Sequence, residues 1–464
     1  MSLAHLTEAV TAELLLKYDR PGPRYTSYPT ANEFHESFGP AEYAALLVEA
    51  AAREDEPLSL YVHLPFCHER CTFCGCNVII TRRPEVSARY LDLVAREAEL
   101  IAGKLGRRRR VVQYHFGGGT PTYQSAEELR ALHARIGEHF EIAPDAEVAV
   151  EVDPRVTTAE HLAVLREIGF NRLSLGVQDV SGEVQEAINR GQTPAQTEEI
   201  FSEGRRLGFQ SINIDLVYGL PRQTRGRFAR TLEETIRLRP DRVACYSFAH
   251  IPWIRGNQRR IRPEDLPEAA EKFRLFGQAI EAFLGAGYDL VGMDHFALPG
   301  DEMARAARAG TLHRNFMGYT VMPASDMIGL GVSSIGDLRG AYAQNTKKLS
   351  RYEEALAAGV PPVERGIVLT PEDALRRDVI TRLMCNMRLD IGAVEGRFRI
   401  DFAAHFAEEL AALRVPESHG FVKVSPEAIE VVGAGRLFIR NVCMIFDTWL
   451  RKRQGGKPVF SRTV

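Results

Sequence analysis

The chain lacks any apolar run long enough to cross a bilayer, so its 464 residues predict no membrane-spanning helix. It also lacks bulk charge. Its 58 Lys and Arg against 61 Asp and Glu leave a net charge of -3, too little for a general attraction to nucleic acid or membrane. The N-terminal stretch is acid-containing and helix-like, without the organisation of a signal peptide. Cysteine is scarce at seven residues, and Cys245, Cys385 and Cys443 stand singly, so there is no second cluster for a disulfide framework or a two-pair zinc staple. A soluble, cytoplasmic, monomeric enzyme is expected, and the 45% hydrophobic content is ample for a large core.

The other four cysteines fall within ten residues, in Tyr61-Val62-His63-Leu64-Pro65-Phe66-Cys67-His68-Glu69-Arg70-Cys71-Thr72-Phe73-Cys74-Gly75-Cys76-Asn77. Cys67, Cys71 and Cys74 are spaced Cys-x3-Cys-x2-Cys. Three thiolates on one short loop suit a cubane [4Fe-4S] cluster, each holding one iron and leaving the fourth open. An open iron can chelate the amino and carboxylate groups of S-adenosylmethionine, whose one-electron cleavage yields a 5'-deoxyadenosyl radical. The competing reading is a single zinc held by Cys67, Cys71, Cys74 and Cys76. The spacing resembles that of the radical S-adenosylmethionine enzymes, and Phe73 before the third cysteine fits them too.

In chain order, a helix is expected over residues 1–16, carried by Leu3, Leu6, Val10, Leu14 and Leu15. The arm Arg24 to Thr30 follows, a strap across the next domain or a substrate contact. A helix from Pro40 to Arg53 leads to a strand, Leu58 to Leu64, that delivers the cysteine loop. Strands are then expected at Val111–Phe116, Ala146–Val152, Arg172–Val177, Ser211–Tyr218 and Arg242–Ala249, alternating with helical patterns at 86–105, 125–140, 158–168, 183–207 and 227–238. Tyr288 to Met293 offers a seventh strand. Regular alternation implies an α/β fold, a partial (β/α)6 TIM-type barrel with its chemistry at the C-terminal strand ends.

Polar residues gather at those ends: Gly117-Gly118-Gly119-Thr120-Pro121, then Glu151 and Asp153, then Gln178-Asp179, then Asp215. Unpaired burial of such groups is costly, so they need a polar ligand, and Arg190 can meet a carboxylate in a bidentate fork. The basic run Lys104 to Arg110 has no aromatic interleaving and reads as a solvated helix-to-strand connection, with no nucleic-acid role. Leu312 to Thr320 and Gly329 to Gly336 read as loops returning to the barrel mouth. Beyond residue 346 come helices at 349–357, 371–386 and 401–413, a β-ribbon from Gly420 to Val432 and a last helix near 434–452. They are read as a smaller, mostly helical lid. The expected division is an arm at 1–40, a barrel at 41–345 and a C-terminal domain at 346–464.

The whole chain resembles the oxygen-independent coproporphyrinogen III oxidases, or coproporphyrinogen dehydrogenases. The carriers are PGPRYTSYPT at 21–30, YVHLPFCHERCTFCGCN at 61–77, FGGGTPT at 116–122, EVDP at 151–154, GVQD at 176–179, NIDLVYGLP at 213–221, GMDHFALP at 292–299, LHRNFMGYT at 312–320 and IRNVCMIFDT at 439–448. Cys76 and the arm separate this subgroup from heme chaperones, which carry Cys-Asp-Phe where this chain has Cys74-Gly75-Cys76.

The resemblance implies oxidative decarboxylation of two propionates of coproporphyrinogen III to the vinyl groups of protoporphyrinogen IX, with two S-adenosylmethionine molecules beside the cluster. It implies Cys67, Cys71 and Cys74 as cluster ligands. It implies S-adenosylmethionine contacts at Tyr61, Phe73, Gly118, Gly119, Thr120, Glu151, Gln178, Arg190, Asp215, Ala249 and Ile335. Cys76, Arg24 and Arg314 are taken as candidates for turnover and for holding propionates, and the electron donor and acceptor are unnamed. The alternatives are a heme-binding or heme-trafficking protein on the same scaffold, a radical methyltransferase or heme-degrading homologue, and a zinc-stapled structural protein.

Overall fold

The structure is a computed structural model that describes residues 10–453 and 459–463. In strand β1 (Leu58–Leu64), successive side chains point to opposite faces. Leu58, Leu60, Val62 and Leu64 are buried in the main apolar core, while Ser59, Tyr61 and His63 face the barrel interior and bond to polar partners there. The alternation continues through β2 (Arg110–Gly118), β3 (Glu141–Val152), β4 (Arg172–Gln178), β5 (Ser211–Tyr218) and β6 (Arg242–Ser247). Phe116, Val150, Leu175, Ile214 and Val243 join the outer core. On the inner face Gln113 bonds Glu147, His115 lies against Glu151, and Ser174 bonds Asp215. A closed (β/α)8 barrel fills its interior with branched apolar side chains, whereas this interior is polar.

Helices Pro84–Leu105, Ala126–Gly137, Ala159–Glu167, Pro194–Arg206 and Arg225–Leu238 join successive parallel strands. Capping boxes at Ser125 and Glu128 and at Thr193 and Gln196 start two of them. The helix expected over 183–207 is two, Gly182–Ala187 and Pro194–Arg206. Asn189 and Gly191 adopt positive φ of 52° and 64°, and Pro194 opens the next helix.

Six further strands extend the sheet: β7 (Asp289–Val291), β8 (His295–Ala297), β9 (Asp326–Leu330), β10 (Ile335–Leu338), β11 (Ala341–Asn345) and β12 (Val363–Val368). The order among described residues is β12-β11-β10-β9-β1-β2-β3-β4-β5-β6-β8-β7. The segment offered as a seventh strand, Tyr288 to Met293, supplies only the edge strand β7, antiparallel to β8. The seventh parallel strand is β9, which pairs with β1 on the side away from β2. The expected loop from Gly329 to Gly336 is therefore the end of β9, a short turn and the start of β10. Its glycines hid this. A Cβ at Gly329 would lie 2.8 Å from the Ile335 carbonyl oxygen, so glycine permits the close return.

Arg108, expected in a solvated connection, is fully buried. Its guanidinium donates to Asp326, to Ser325 and to the carbonyls of Ala50 and Glu56, stapling the start of β9 to the chain before β1. A charge that makes four such bonds is held by protein instead of water.

The sheet does not close between its two edges, and the arm spans that seam. Arg24 donates to the carbonyl of Ser247 at the end of β6 (2.5 Å), Phe34 stacks on Tyr342 of β11, and His35 bridges Gly366 of β12. Tyr25 and Tyr28 are part of the C-terminal core, where Tyr25 bonds Asp447 and Tyr28 bonds Thr448. The arm thus ties barrel strands to the C-terminal core. Of the helix expected over 1–16, residues 1–9 lie outside the described residues, and the described helix is Ala12–Tyr18.

The C-terminal region packs Pro371–Asn386, Ile391–Phe398, Ala407–Ser418 and Ile439–Ile445 around a second core, with a three-stranded antiparallel sheet of Arg388–Asp390, Val422–Val424 and Ala428–Val431. The helix expected at 401–413 is divided at Phe406, and the last helix is a 3-10 turn followed by Ile439–Ile445 and Thr448–Lys452. The region meets the barrel through Arg377 with Asp337, Tyr319 with the Met384 carbonyl, and Asn386 with Leu312.

Candidate active site

β1 ends at Leu64, and the chain passes through Phe66–Cys67, which pairs in parallel with Ile79–Ile80. The loop between them is clamped from two sides. Gly119 and Thr120 donate backbone N–H groups to the carbonyls of Leu64 and Phe66, and Thr120 Oγ1 lies 3.4 Å from Cys67 Sγ. A Cβ at Gly119 would lie 2.5 Å from the Pro65 carbonyl carbon, and one at Gly118, whose φ is +115°, would strike the His63 ring. The glycine run is what lets these backbones meet. On the other side Asn257 donates its side-chain amide to the carbonyls of Cys71, Thr72 and Cys74, while Gln258 donates to those of Phe73 and Ala249.

The thiols face a cavity of about 300 Å³, within the range of small-ligand sites. Its lining brings together Cys67, Cys71, Cys74, Cys76, Phe73, Gly118, Gly119, Thr120, Glu151, Gln178, Arg190 and Asp215. Burial pushes the Cys67 thiol up to about 11 and raises Cys71, against the pull of Arg190 and Arg155. Cys74 goes the other way, to about 6, through its hydrogen bond with Cys76 and the nearby Arg70 and Arg255. Cys76 rises in turn.

Glu151 lies deep in the barrel, yet 45% of its side chain remains accessible because it faces this cavity. Burial alone would raise its pKa, but His115, the Gly118 N–H and His63 hold it below the ordinary value. Asp215 is raised to about 6 by burial and by the Glu151 charge, although Asn213 and Ser174 both donate to it. Gln178, at φ +70°, occupies a left-handed position unusual for a residue with a side chain. Arg190 is held by the Gly176 carbonyl (2.6 Å), Asp153 (3.2 Å) and Gln192, with Cys71 Sγ at 3.8 Å.

The strand-end carboxylates do not all await a ligand, as the sequence reading had it. Asp153 is chelated by Arg155 and Arg190, and buried Asp179 accepts from Gln223 and the Ser181 N–H. Those pairs are satisfied by protein. Asp153 also lines the cavity, but its charge is met by the two arginines, whereas Glu151 and Asp215 line it without an arginine partner.

Tyr61, Ala249 and Ile335 lie outside the cavity lining. Tyr61 stacks on His115 with its hydroxyl on His63, Ala249 touches the cysteine loop through Gln258, and Ile335 packs with Phe34 and Tyr342. Arg24 lines a small cavity with Asp294 and Arg440. Arg314 lines a separate cavity of about 600 Å³ beside the C-terminal region, its guanidinium 4.6 Å over Tyr319 and its Nε and Nη1 buried without a hydrogen-bond partner. The structure does not bring the two arginines into one site.

Sequence reasoning missed His63, His115, Ser174 and Tyr246 inside the barrel, and the Asn257–Gln258 clamp. The first four were readable from strict alternation on strands already placed. The clamp lies in a 3-10 segment, Gly256–Arg260, with no periodic signal.

The donor set fits the group the cysteines imply. Cys67, Cys71 and Cys74 line one cavity of about 300 Å³, and three thiolates opening on shared ligand space suit a cubane cluster that takes one sulfur at each of three irons.

Comparison with known proteins agrees. The Radical SAM superfamily profile matches residues 61–235 and the HemN C-terminal domain profile residues 369–438. The chain is 46% identical over 451 residues to the oxygen-independent coproporphyrinogen III oxidase of Salmonella typhimurium, covering 97% of this chain and 98% of that one. It is 40% identical over 468 residues to the Synechocystis oxidase of the same name, covering all of both. The solved structure described as coproporphyrinogen III oxidase (HemN) from Escherichia coli, a radical SAM enzyme, superposes with a TM-score of 0.89 at 44% identity, over 95% of this chain and 99% of that one. The partial barrel, its cysteine loop and the C-terminal domain are thus shared from end to end, and the chain belongs to the oxygen-independent coproporphyrinogen III oxidases of the radical SAM superfamily.

Proposed function

We propose that this chain removes carbon dioxide and hydrogen from two propionate side chains of coproporphyrinogen III, leaving the vinyl groups of protoporphyrinogen IX, without oxygen. One observation carries the reading. The three cysteines and two ligand-facing carboxylates, Glu151 and Asp215, open on one cavity inside a polar barrel. Cys67, Cys71 and Cys74 would hold the [4Fe-4S] cluster. Gly118, Gly119, Thr120, Glu151, Gln178, Arg190 and Asp215 would hold S-adenosylmethionine, with Phe73 against it and Tyr61, Ala249 and Ile335 completing the places of two molecules. When bound, the pair supplies one-electron chemistry able to activate an unactivated propionate carbon, beyond the reach of any side-chain base.

The chain's own part is positioning. Arg190 and Arg155 place positive charge beside Cys71. Glu151 stays ionised at neutral pH and can accept from an ammonium group. The Thr120 hydroxyl and the Asn257 amide hold the loop that carries the cysteines. Arg24 and Arg314 remain the candidates for gripping propionates, and Cys76 for a role in turnover. No helix among the described residues is long and apolar enough to cross a membrane, and we place the enzyme in the cytoplasm as a monomer served by an external electron donor and acceptor.

The test is product analysis. Anaerobically reconstituted protein with S-adenosylmethionine, a chemical reductant and coproporphyrinogen III should give the divinyl product. Bound pigment without turnover would hand the chain to the heme-binding reading.

A further inference from the structure

We infer that the cavity of about 600 Å³ between the barrel and the C-terminal region anchors two neighbouring carboxylates, the pair of propionates that the reaction leaves on the macrocycle. The identity of this ligand rests on the proposed function, whereas the charge arrangement stands by itself. Coproporphyrinogen III carries four propionates, and converting two of them leaves two that flank the same bridging carbon. That pair is common to substrate, half-converted intermediate and product.

Both parts of the molecule wall the cavity. The barrel side brings Asp337 of β10 and Arg314 of the hairpin His313–Asn315 with Gly318–Thr320. The C-terminal side brings Arg377 and Arg382 of the helix Pro371–Asn386, and Arg397 of the helix Ile391–Phe398. Five arginines and two aspartates line it, in a chain whose net charge is -3.

The pairings leave charge over. Arg377 meets Asp337 through both terminal nitrogens, and Arg339 meets Glu56, outside the lining, at 2.9 Å. Asp378 is shared, with Arg382 at 2.6 Å and Arg397 at 2.7 Å, so one carboxylate serves two guanidinium groups. Arg314 has no such partner. Its Nε and Nη1 are buried without an acceptor, its face lies over the Tyr319 ring, and Asp294, the acid whose charge reaches it, bonds His295 instead. Two positive charges are therefore unmatched, one at Arg314 and one at the Arg382 and Arg397 pair, and two carboxylates would neutralise them. Guanidinium forks are suited to carboxylates. Met327, Leu369 and Phe398 add apolar lining, which fits the carbon of a macrocycle and not an inorganic anion.

Among the described residues, none lines both this cavity and the one that holds the thiols. One layer of rings separates them. Tyr246 lines the cysteine cavity and meets His295 edge-on at 5.7 Å, and His295 meets Tyr319, the ring beneath Arg314, edge-on at 5.0 Å.

The experiment uses the reconstituted full-length chain with S-adenosylmethionine bound, and two fluorescent probes, coproporphyrin III and coproporphyrin I. The probes have the same charge and the same macrocycle, but in isomer I no two propionates flank one bridging carbon. Fluorescence titration without reductant should show isomer III binding roughly tenfold more tightly, the worth of one charge-assisted hydrogen bond. Arg314→Met and Arg382→Met should each bring isomer III down to the affinity of isomer I and leave isomer I almost unchanged. In Arg382→Met, Asp378 keeps its bond to Arg397, so the fold is retained, and S-adenosylmethionine affinity in the same preparations should be that of the unmodified chain. Equal affinity for the two isomers in the unmodified chain would overturn the inference. So would a preference for isomer III that survives in both variants, which would place the pair elsewhere in the molecule. These readouts measure binding alone, so a failure to form vinyl product would count against the proposed function and leave the isomer preference to decide this inference.

Discussion

Where the parallel strands begin, the barrel interior is a chain of groups paired with one another: Ser59 with Gln113, Gln113 with Glu147, Arg172 with Glu147 and Glu302, and Arg242 with Asp301 and Glu302. Where the same strands end, Glu151 and Asp215 keep one side toward the 300 Å³ cavity, beside the thiols of Cys67, Cys71 and Cys74. Both ends bury charge. The difference is what that charge faces, protein at one end and ligand space at the other. A buried ion pair is thus weak evidence of function, and a buried carboxylate open to a cavity is stronger evidence.

The comparison can be broken most completely at the cysteines. Changing Cys67, Cys71 or Cys74 to Ser should abolish the cluster, with bound iron falling from about four per chain to almost none by iron and sulfide analysis. Cys76→Ser should keep the iron and lose turnover. Loss of iron in Cys76→Ser would make it a ligand and reopen the four-thiolate reading.

The next largest effect belongs to the opposite end. Asp326→Ala leaves Arg108 and Arg53 without their shared carboxylate. It should cost about 3–5 kcal/mol of stability, because an uncompensated buried guanidinium remains. Denaturant titration measures this, and S-adenosylmethionine affinity of the folded fraction should be unchanged. Glu151→Ala, Gln178→Ala and Asp215→Ala should behave in reverse, each losing about 1.5–3 kcal/mol of S-adenosylmethionine binding with the melting temperature nearly kept. Loss of stability with binding intact would show that these strand ends are as structural as the first end.

How far the two ends could be read in advance follows from the same contrast. The strand ends with ligand-facing groups were legible, because a carboxylate or glycine run after an apolar strand stands out against alternation, as at Gly117–Gly119 and Glu151. The satisfied network was not. Arg108 sits in a run of four arginines, and nothing local tells the one that turns inward from its three neighbours; the Asp326 that receives it is more than 200 residues away. The strand β9 was hidden for a related reason. Gly329, Gly331 and Gly336 serve a close backbone return, and glycine in a strand reads as a loop.

A smaller effect sharpens the comparison through pH. The Asp215 carboxyl is raised from 3.8 to about 6 by burial and by the Glu151 charge, so the folded chain holds this proton more tightly than the unfolded chain. Its contribution to stability is fully present below pH 3.8 and is lost as the pH rises through about 6, amounting to about 3 kcal/mol. In ligand-free protein, Asp215→Asn should remove that loss between pH 4 and 6 in denaturant titrations. An unaltered slope would mean that solvent in the cavity already neutralises the effect.

The smallest expected effect separates the two arginines proposed for propionates. Arg24 already has a partner, the Ser247 carbonyl at the end of β6, and belongs to the strap over the barrel seam. Arg314 projects into the second cavity with two buried nitrogens lacking acceptors, an arrangement that favours an anion more than a neutral loop tie does. If both grip propionates, Arg24→Met and Arg314→Met should leave S-adenosylmethionine cleavage intact and lower vinyl product per 5'-deoxyadenosine several-fold, about 1 kcal/mol in positioning. The observed contacts make a sharper expectation. Arg314→Met should change the ratio with only a small loss of stability, because Nε and Nη1 have no acceptor to lose and only the contact with the Tyr319 ring goes. Arg24→Met should lower stability together with the ratio, because the strap loosens. Measuring the product ratio and the denaturation midpoint in the same preparations decides between them. A normal ratio in Arg314→Met would remove that cavity from substrate binding and leave the propionates to the rim around the cysteine loop.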